Sequence, residues 1–328
     1  MKAKISYTAR YLPERVLSNF DLEKMVDTTD EWIRSRTGIE KRHLVGEGEA
    51  TSDMCTMIAK QLLEKSGKAP EEIDLILIAT STPDYMVVST AALVQDKIGA
   101  TNAWGYDIVA ACTGFVYAME TGSKLVESGQ YKNAMVIGAD TMSSIIDYTD
   151  RNTCVIFGDG GGGVLLEPSK DETGILDSIL HVDGSGSKYL TVPAGGSLHP
   201  ASKDTVDKKM HYVYQDGKTV FKFAVKNMAD VSKRILDRNQ LTGDDIKLFI
   251  PHQANQRIID AAAKRCGLAD EKVFININRY GNTTAGTIPI ALDEAVESKR
   301  LKKDDILLLA AFGGGFTWGS MLIQWSNK

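Results

Sequence analysis

The sequence predicts an α/β fold built from two similar halves, and three observations lead to this prediction. Wholly apolar strands at residues 75–79 and 134–138 alternate with amphipathic helices, a pattern typical of a buried and mainly parallel sheet. The segment 242–250 repeats the pattern of 69–77, since each follows a helix and leads into a buried strand. Glu-Ser also precedes a strand in both halves, at 127–128 and 297–298. We therefore expect duplicated halves, with a boundary between residues 1–170 and 171–328.

Composition excludes several classes of protein. The 328 residues are 43% hydrophobic and 25% charged with a formal net charge of −5, which argues against disorder and against a general nucleic-acid binder. The four cysteines form no Cys-x-x-Cys, and the chain shows no signal peptide and no apolar run of 18 residues. We expect reduced thiols, a cytoplasmic location and no membrane insertion.

The first half should contain strands and helices in alternation. We expect a strand at 3–11, a short helix beginning at 28–33 with a threonine N-cap, a helix at 51–67, a strand at 75–79, a loop at 80–87, and a helix from Ser89 to Gly99. The short helix carries Trp32 and Arg36 on one face, where an aromatic plane and a guanidinium could hold a nucleotide-like ring and its phosphates. A surface tryptophan beside a solvated arginine is the alternative.

Residues 104–125 form the stretch around which the chain is organised. A strand at 103–108 meets a helix at Cys112, and small or apolar residues recur with helical period after it. Free N–H groups and the positive end of the dipole at a helix N-terminus favour a thiolate, which is the nucleophilic form. The alternative is a buried structural cysteine.

A formal Gly-x-Gly-x-x-Gly occurs at Gly158, Gly160 and Gly163, but it does not predict a dinucleotide site. A dinucleotide-binding loop must open a helix, whereas these glycines lead into the strand-like run 164–166. Close backbone packing in a turn is the interpretation that we prefer.

The second half supplies further polar side chains at predicted strand ends. After an irregular loop at 183–204 and a long helix containing 221–235, we expect strands at 248–250 and 273–277. His252 follows the first strand and Asn282 follows the second, so both should lie at the sheet edge where Cys112 lies. A glycine loop at 313–315 could place a backbone N–H against a carbonyl oxygen.

Six motifs in order make the chain resemble β-ketoacyl-(acyl-carrier-protein) synthase III, a family of the thiolase superfamily. The motifs are 30–33 with 36–39, the Cys112 turn, 157–160, 252–255 with Arg257, 280–283, and 313–318. The main departure is Gly161-Gly162-Gly163, where alternating Ala and Gly is expected. The resemblance implies a five-layered αβαβα fold, an obligate homodimer, and condensation of an acyl-CoA with malonyl-acyl-carrier-protein without a metal or organic cofactor.

The resemblance also implies a role for each matched position. Cys112 would take the acyl group, and His252 and Asn282 would donate hydrogen bonds to the malonyl thioester oxygen. The other implied roles are an oxyanion loop at Gly313, Gly314 and Gly315, CoA binding by Trp32, Arg36, Arg151 and Asn255, an acyl pocket with Val87 and Phe157, and a part in carrier-protein docking for Lys222. From the spacing itself we expect an acidic carrier protein to dock on the helix after His252, where Arg257 and Lys264 share a face and Arg265 lies beside Lys264. Because valine is small, Val87 predicts a pocket that accepts branched or medium-length starters.

Other functions remain open at this point. Cysteine, histidine and asparagine in this order also occur in papain-like proteases, and a non-catalytic partner subunit of a condensing enzyme would keep the fold without the nucleophile. Asn282 disfavours relatives with a second histidine or a glutamate in the site. It does not exclude long-chain head-to-head condensing enzymes or specialised-metabolite synthases.

Overall fold

The computed structural model describes residues 1–327 and confirms the alternation of strands and helices. The strands are β1 Ala3–Tyr11, β2 Arg15–Ser18, β3 Lys41–Leu44, β4 Leu75–Ala79, β5 Trp104–Ile108, β6 Ala134–Asp140, β7 Gly160–Pro168, β8 Gly174–Val182, β9 Leu190–Thr191, β10 Tyr214–Gln215, β11 Leu248–Pro251, β12 Ile306–Gly313 and β13 Thr317–Gln324. The helices are α1 Asn19–Leu22, α2 Asp30–Thr37, α3 Thr51–Ser66, α4 Thr90–Ile98, α5 Gly114–Glu127, α6 Arg151–Cys154, α7 Lys203–Asp207, α8 Gly217–Arg238, α9 Gln256–Cys266, α10 Ile277–Tyr280 and α11 Thr287–Glu297. Short 3₁₀ turns, Ala111–Thr113 and Thr284–Gly286, come directly before α5 and α11.

Two sheets with the same strand order form the framework, which confirms the predicted duplication. The first has the order β1-β7-β6-β4-β5, and the second has β8-β13-β12-β11. In each sheet a parallel pair (β6 with β4, β12 with β11) is extended by antiparallel strands. A single parallel bridge between Phe249 and Val273 stands where the first sheet has β5.

The molecule has five layers, which explains why its central strands are apolar throughout. In β4, Leu75 and Leu77 face α5 and α11 in the middle layer, whereas Ile76 and Ile78 face α3 and α4 outside. β12 likewise divides its residues between the middle layer and the outer helices α8 and α9. A strand covered on both faces leaves no polar side, so it shows no alternation. Within residues 1–327, none of the helices combines the length and the apolar character needed to cross a lipid bilayer.

The glycine run before residue 164 lies inside a strand and not in a turn. Gly161 and Gly162 belong to β7, and a Cβ on Gly161 would lie 2.4 Å from that of Ala139 on the neighbouring strand. A Cβ on Gly162 would lie 2.8 Å from the backbone of Pro289 in α11. The run therefore lets α11 pack closely on the first sheet, and the rejection of a dinucleotide loop is confirmed.

The strand expected at 273–277 is absent from the described residues. Val273 contributes only the isolated bridge, and α10 begins at Ile277. The buried Asn276 amide donates to Glu294 of α11 at 2.9 Å, and the chain enters α10 at the next residue. Asn282 consequently does not follow a strand, which corrects its predicted position.

Candidate active site

Cys112 lies in the tight turn that joins β5 to α5. Its neighbour Ala111 has a positive φ of 47°, a conformation that costs energy for a non-glycine residue. A Cβ on Gly313 would come within 2.7 Å of the Cys112 backbone nitrogen, so only glycine allows β12 to end against this turn. The Thr317 hydroxyl donates to the Ala110 carbonyl at 3.0 Å and fixes the glycine loop to the turn.

Burial, rather than the helix N-terminus, dominates the ionisation of Cys112. Burial raises the pKa of the thiol to about 12, and the charge of Asp140 adds to the rise. Hydrogen bonds from the Cys112 amide and from Asn282 act in the opposite direction. Burial therefore favours the thiol over the thiolate and outweighs the effect expected from the helix N-terminus.

The Asn282 side chain is oriented by its own loop. Its Oδ1 accepts from the Thr284 backbone N–H at 2.8 Å, so the amide nitrogen is the polar group left to act on Cys112, whose thiol pKa Asn282 lowers. A parallel bridge between Phe157 and Asn282 holds this loop against the first half. The Asn282 amide thus presents donors at the cysteine sulfur.

His252 follows β11 directly and is 2% exposed. Its backbone N–H donates to Ala310 on β12 at 2.8 Å, and its Nδ1 lies 2.7 Å from the Thr287 hydroxyl oxygen. Burial lowers the pKa of the imidazole to about 3, so the ring is neutral near pH 7. The turns at 111–113 and 284–286 are in contact, and Thr287, which contacts the His252 ring, directly follows the second turn. This places His252 close to the turns that carry Cys112 and follow Asn282.

The buried carboxylate of Asp140 accepts hydrogen bonds from the turn at 284–286. Asp140, at the end of β6, accepts hydrogen bonds from the Thr82 hydroxyl at 3.1 Å, the Ser81 N–H at 2.7 Å and the Ala285 N–H at 3.2 Å. It also accepts from the hydroxyl of Thr284, whose φ is 50°. The negative charge therefore braces the loop that orients Asn282.

An outer cleft of about 520 Å³ leads from the surface to Cys112. Trp32 and Asn282 line it, together with Lys218 and Phe221 at the start of α8. Neither Lys218 nor Phe221 was expected at the site from the sequence. Asp216 could have indicated them, because it caps α8 by accepting from the Thr219 N–H at 3.1 Å and so marks the helix start that lies at the cleft.

The residues expected to bind CoA gather at the mouth of this cleft. The Arg36 guanidinium lies 5.7 Å from the Trp32 ring centroid, and that of Arg151 lies 5.0 Å from it. Asn255 lines the cleft and caps α9, while its amide donates to the Arg36 carbonyl at 2.9 Å. The amide of Asn255 therefore joins α9 to α2 through one of its two N–H groups.

An inner cavity of about 500 Å³ lies on the other side of Cys112 and is mostly apolar. It is lined by Met142, Ile145, Phe157, Leu190, Val213 and the glycine loop at Gly314 and Gly315. Cys112, Phe157 and Leu190 line both spaces. The cysteine therefore stands at the junction of the cleft and the cavity.

Val87 does not line the inner cavity of its own chain, contrary to the expected position. Asp84 is held by the Ser52 N–H at 2.9 Å and the Ser52 hydroxyl at 2.6 Å. The chain beyond it projects from the molecule and leaves Val87 94% exposed. Val109 and Val182 line the cavity yet are 76% and 70% exposed, so this side of the cavity is open.

The basic residues expected to dock a carrier protein lie on the outer helices α8 and α9. Lys222, Arg257, Lys264 and Arg265 are all exposed. The Arg257 guanidinium lies 4.9 Å from the Phe221 ring centroid, so Arg257 also covers a wall of the cleft. Arg265 pairs with Asp230 at 3.6 Å.

Comparisons with known proteins agree on one family. A family model described as 3-oxoacyl-(acyl-carrier-protein) synthase III matches residues 106–184, and the model of its C-terminal part matches 236–325. A β-ketoacyl-(acyl-carrier-protein) synthase III from Chlorobium luteolum is 57% identical over 99% of this chain and 100% of the relative. One from Koribacter versatilis is 55% identical over 99% of this chain and 98% of the relative. The crystal structure of 3-oxoacyl-(acyl-carrier-protein) synthase III from Aquifex aeolicus is 43% identical, with a TM-score of 0.91 over 98% of this chain and 100% of that one.

Proposed function

Because the chain belongs to the β-ketoacyl-(acyl-carrier-protein) synthase III family, we propose that it catalyses the condensation that initiates fatty acid synthesis. An acyl-CoA and malonyl-acyl-carrier-protein give 3-oxoacyl-acyl-carrier-protein, CO2 and CoA. One observation carries the proposal: Cys112 stands between a cleft with an aromatic and basic mouth and a mostly apolar cavity, and Asn282 lines the cleft with it. That arrangement suits an acyl chain on one side of a thioester and a pantetheine arm on the other.

The first half-reaction moves the acyl group to Cys112. The thiol gives up its proton, the sulfur attacks the acyl-CoA carbonyl, and CoA leaves with a proton as the free thiol. The oxyanion of the tetrahedral intermediate needs donors in this turn, and we assign this role to the Cys112 N–H and the loop at Gly313, Gly314 and Gly315. The new thioester keeps the acyl group activated.

The second half-reaction forms the carbon–carbon bond. The malonyl group loses CO2, and the electron pair forms an enolate whose oxygen accepts hydrogen bonds from His252 Nε2 and the Asn282 amide. The enolate carbon attacks the acyl-Cys112 carbonyl, and the cysteine sulfur leaves. The neutral state of His252 suits a hydrogen-bond donor that is not a strong acid.

The remaining site residues receive roles from their places in the outer cleft, in the inner cavity and on the outer helices α8 and α9. Trp32, Arg36 and Arg151 would hold the adenine and phosphates of CoA, with Asn255 shaping the cleft where the pantetheine passes. Phe157 would line the acyl pocket. An acidic carrier protein would dock on Lys222, Arg257, Lys264 and Arg265, which surround the start of α8 and the outer face of α9. The four cysteines are free, which fits a reducing cytoplasm.

The functional unit is a homodimer in this proposal. β5 is the edge of the first sheet, and its Trp104 and Tyr106 are exposed. A monomer seldom leaves an unpaired edge strand with exposed aromatic side chains. A second copy on this edge would also cover the open side of the inner cavity at Val109 and bring the loop carrying Val87 to it. Light scattering of the purified protein should give twice the chain mass, whereas Tyr106→Asp should give the mass of one chain. A monomeric wild type would refute this assembly.

Intact-protein mass spectrometry tests the reaction directly. After incubation with a panel of acyl-CoAs, we expect the wild type to gain the mass of one acyl group, and we expect Cys112→Ala to gain none. Adding malonyl-acyl-carrier-protein should remove the acyl mass and release CO2. An acyl mass that water removes while no 3-oxoacyl product forms would point to a cysteine hydrolase.

A further inference from the structure

The condensation proposed above needs a hydrogen-bond donor at His252 Nε2, and this inference rests on that function. A neutral imidazole carries its proton on only one nitrogen, so the other is a bare acceptor. A ring with its proton on Nδ1 would direct a lone pair at the thioester oxygen and oppose the enolate. The hydrogen bond made at Nδ1 decides between the two forms.

We propose that Thr287 is a positioning residue that holds the proton of His252 on Nε2. Thr287 is the first residue of α11 and is 2% exposed, and its hydroxyl oxygen lies 2.7 Å from Nδ1. Within residues 1–327 the structure gives Nδ1 no other hydrogen-bond partner. The tautomer of the ring therefore follows the direction in which this one hydroxyl donates.

The distances around the Thr287 hydroxyl favour donation to the ring. The hydroxyl could instead donate to the Thr284 carbonyl, 3.1 Å away, and it would then accept from an Nδ1–H. That carbonyl already accepts the backbone N–H of Thr287, which closes the turn before α11. The carbonyl oxygen has a second lone pair, so the distances decide: 2.7 Å to Nδ1 is the length typical of a hydroxyl donor, and the carbonyl at 3.1 Å is farther away. The hydroxyl therefore donates to Nδ1, and Nε2 carries the proton.

The backbone around Thr287 makes this a fixed arrangement. Thr284 is tied to the Asp140 carboxylate through its hydroxyl, and His252 is tied to β12 through its backbone N–H. Both the hydroxyl and the ring are therefore held by elements that belong to the sheets and the middle helices. Because the Thr287 hydroxyl and the His252 ring are both fixed by the fold, their contact can set the tautomer before a substrate binds.

The test compares Thr287→Val, which replaces the hydroxyl by a methyl of similar size, with Thr287→Ser, which keeps it. Thr283→Val is the matched control, because the Thr283 hydroxyl is buried in the same loop and has no hydrogen-bond partner within residues 1–327. For each we would measure acyl transfer to Cys112, decarboxylation of malonyl-acyl-carrier-protein, and the ¹⁵N chemical shifts of the imidazoles without substrate. His252→Gln identifies the His252 signals among the five histidines.

We expect the wild-type ring to carry its proton on Nε2 and the Val variant to show a mixture of tautomers. Decarboxylation should fall about tenfold in Thr287→Val, the loss of one buried hydrogen bond, while acyl transfer stays within about threefold. Thr287→Ser and Thr283→Val should behave as the wild type in all three measurements.

Two results would overturn the inference: a wild-type proton on Nδ1, or normal decarboxylation by Thr287→Val. Failure of the proposed function looks different, because the wild type itself would then neither take up an acyl group nor release CO2. The substrate-free ¹⁵N shifts would still report the tautomer in that case. A Val variant that has lost its fold would be recognised by equal losses in both half-reactions. Thr287→Ala, which removes the hydroxyl without a second methyl, would then decide through the ¹⁵N shifts, and a proton that stays wholly on Nε2 in that variant would overturn the inference.

Discussion

The Asp140 carboxylate accepts a hydrogen bond from the Thr284 hydroxyl, across the interface between the two halves of the chain. Asp140 ends β6 in the first sheet, and Thr284 belongs to the turn before α11. Thr284 has a left-handed φ of 50° and donates its N–H to Asn282 at 2.8 Å. The Asp140 charge in the first half therefore holds Thr284, and Thr284 orients the Asn282 amide in the second half.

Asp140→Asn tests this relationship. The asparagine would place an NH₂ group among donors, so we expect the free energy of unfolding to fall by roughly 1–3 kcal/mol. Removing the charge should also lower the pKa of Cys112, since Asp140 raises it, and alkylation of Cys112 by iodoacetamide should begin at lower pH. Denaturant titration and the pH dependence of alkylation measure the two effects.

Asp159→Asn is the matched control. Asp159 is also buried and accepts from the Ser143 hydroxyl at 2.6 Å and the Val45 N–H at 2.9 Å. We expect similar destabilisation without a change in the alkylation profile. Equal shifts of that profile in both variants would contradict an electrostatic effect of Asp140 on Cys112.

The two half-reactions should separate by mutation. Cys112→Ala should abolish acylation and leave decarboxylation measurable, because the malonyl oxygen is bound by other residues. His252→Ala or Asn282→Ala should keep acyl transfer while condensation falls by on the order of a hundredfold or more. Intact mass reports the first step, and CO2 release and product formation report the second. Normal condensation by Asn282→Ala would remove it from the mechanism.

Charge reversal on the outer helices should weaken carrier binding alone. Arg257 and Lys264 lie seven residues apart on α9 and so share a face. Their replacement by Glu should raise the KM for malonyl-carrier and spare acyl-CoA priming. Because Arg257 also covers Phe221 in the cleft, Lys222→Glu with Lys264→Glu gives the cleaner measurement.

Lys60→Glu supplies the control for those reversals, since Lys60 is exposed on α3 in the opposite outer layer. It changes the net charge as much as each single reversal on α8 or α9 does, and it should leave the KM for malonyl-carrier and the rate of acyl-CoA priming unaltered. Equal damage to priming and to carrier use by the α8 and α9 variants would indicate a defect in the cleft or in folding.

The enzyme should accept acyl-CoA starters longer than acetyl-CoA. Each additional buried methylene gains roughly 0.8 kcal/mol, about a fourfold preference, and the inner cavity of about 500 Å³ has room for several. We expect branched or medium-length acyl-CoAs to prime Cys112 at least as well as acetyl-CoA. Val87→Phe should suppress the longer starters selectively in competition assays.

That effect depends on a second copy, because Val87 is 94% exposed in its own chain. Val88→Phe, one residue further along the loop, is the control and should leave starter choice unchanged. Combining Val87→Phe with the monomer-forming Tyr106→Asp should abolish the selectivity. A wild type that accepts only acetyl-CoA would defeat the prediction.

Acid should destabilise the protein through His252. Its pKa is lowered from 6.5 to about 3, so between these values the unfolded chain binds a proton that the folded chain does not. The free energy of unfolding should therefore fall as the pH drops through this window, by up to about 1.4 kcal/mol per pH unit. Denaturant titrations of His252→Gln should show a shallower slope than the wild type, and the exposed His199→Gln should show the same slope as the wild type.

The layered fold was predictable because it depends on local signals. Apolar strands such as β4, threonine and serine caps such as Thr29 and Ser89, and the glycines that end α3 and α4 all act over a few residues. The convergence of Cys112 with Asn282 followed from a resemblance and from the rule on strand ends. The rule gave the wrong local structure before Asn282, because a single bridge at Val273 stands where a strand was expected.

The parts that could not be predicted depend on contacts between distant residues. The ionisation of Cys112 is set by burial beneath β12 and by Asp140, and neither is visible near residue 112 in the sequence. The position of Val87 depends on how Asp84 is held by Ser52. The boundary between residues 170 and 171 stays a prediction.

The junction at which Cys112, Phe157 and Leu190 line both spaces imposes an order on turnover. In the proposed reaction, an acyl group stored in the inner cavity would leave the outer cleft as the passage for both pantetheine arms, so CoA would have to leave before the malonyl carrier enters. Ping-pong kinetics follow, with parallel lines in double-reciprocal plots. Free CoA and excess acyl-CoA then compete with malonyl-carrier for the acylated enzyme, so the rate of the second step responds to the cellular ratio of CoA to carrier.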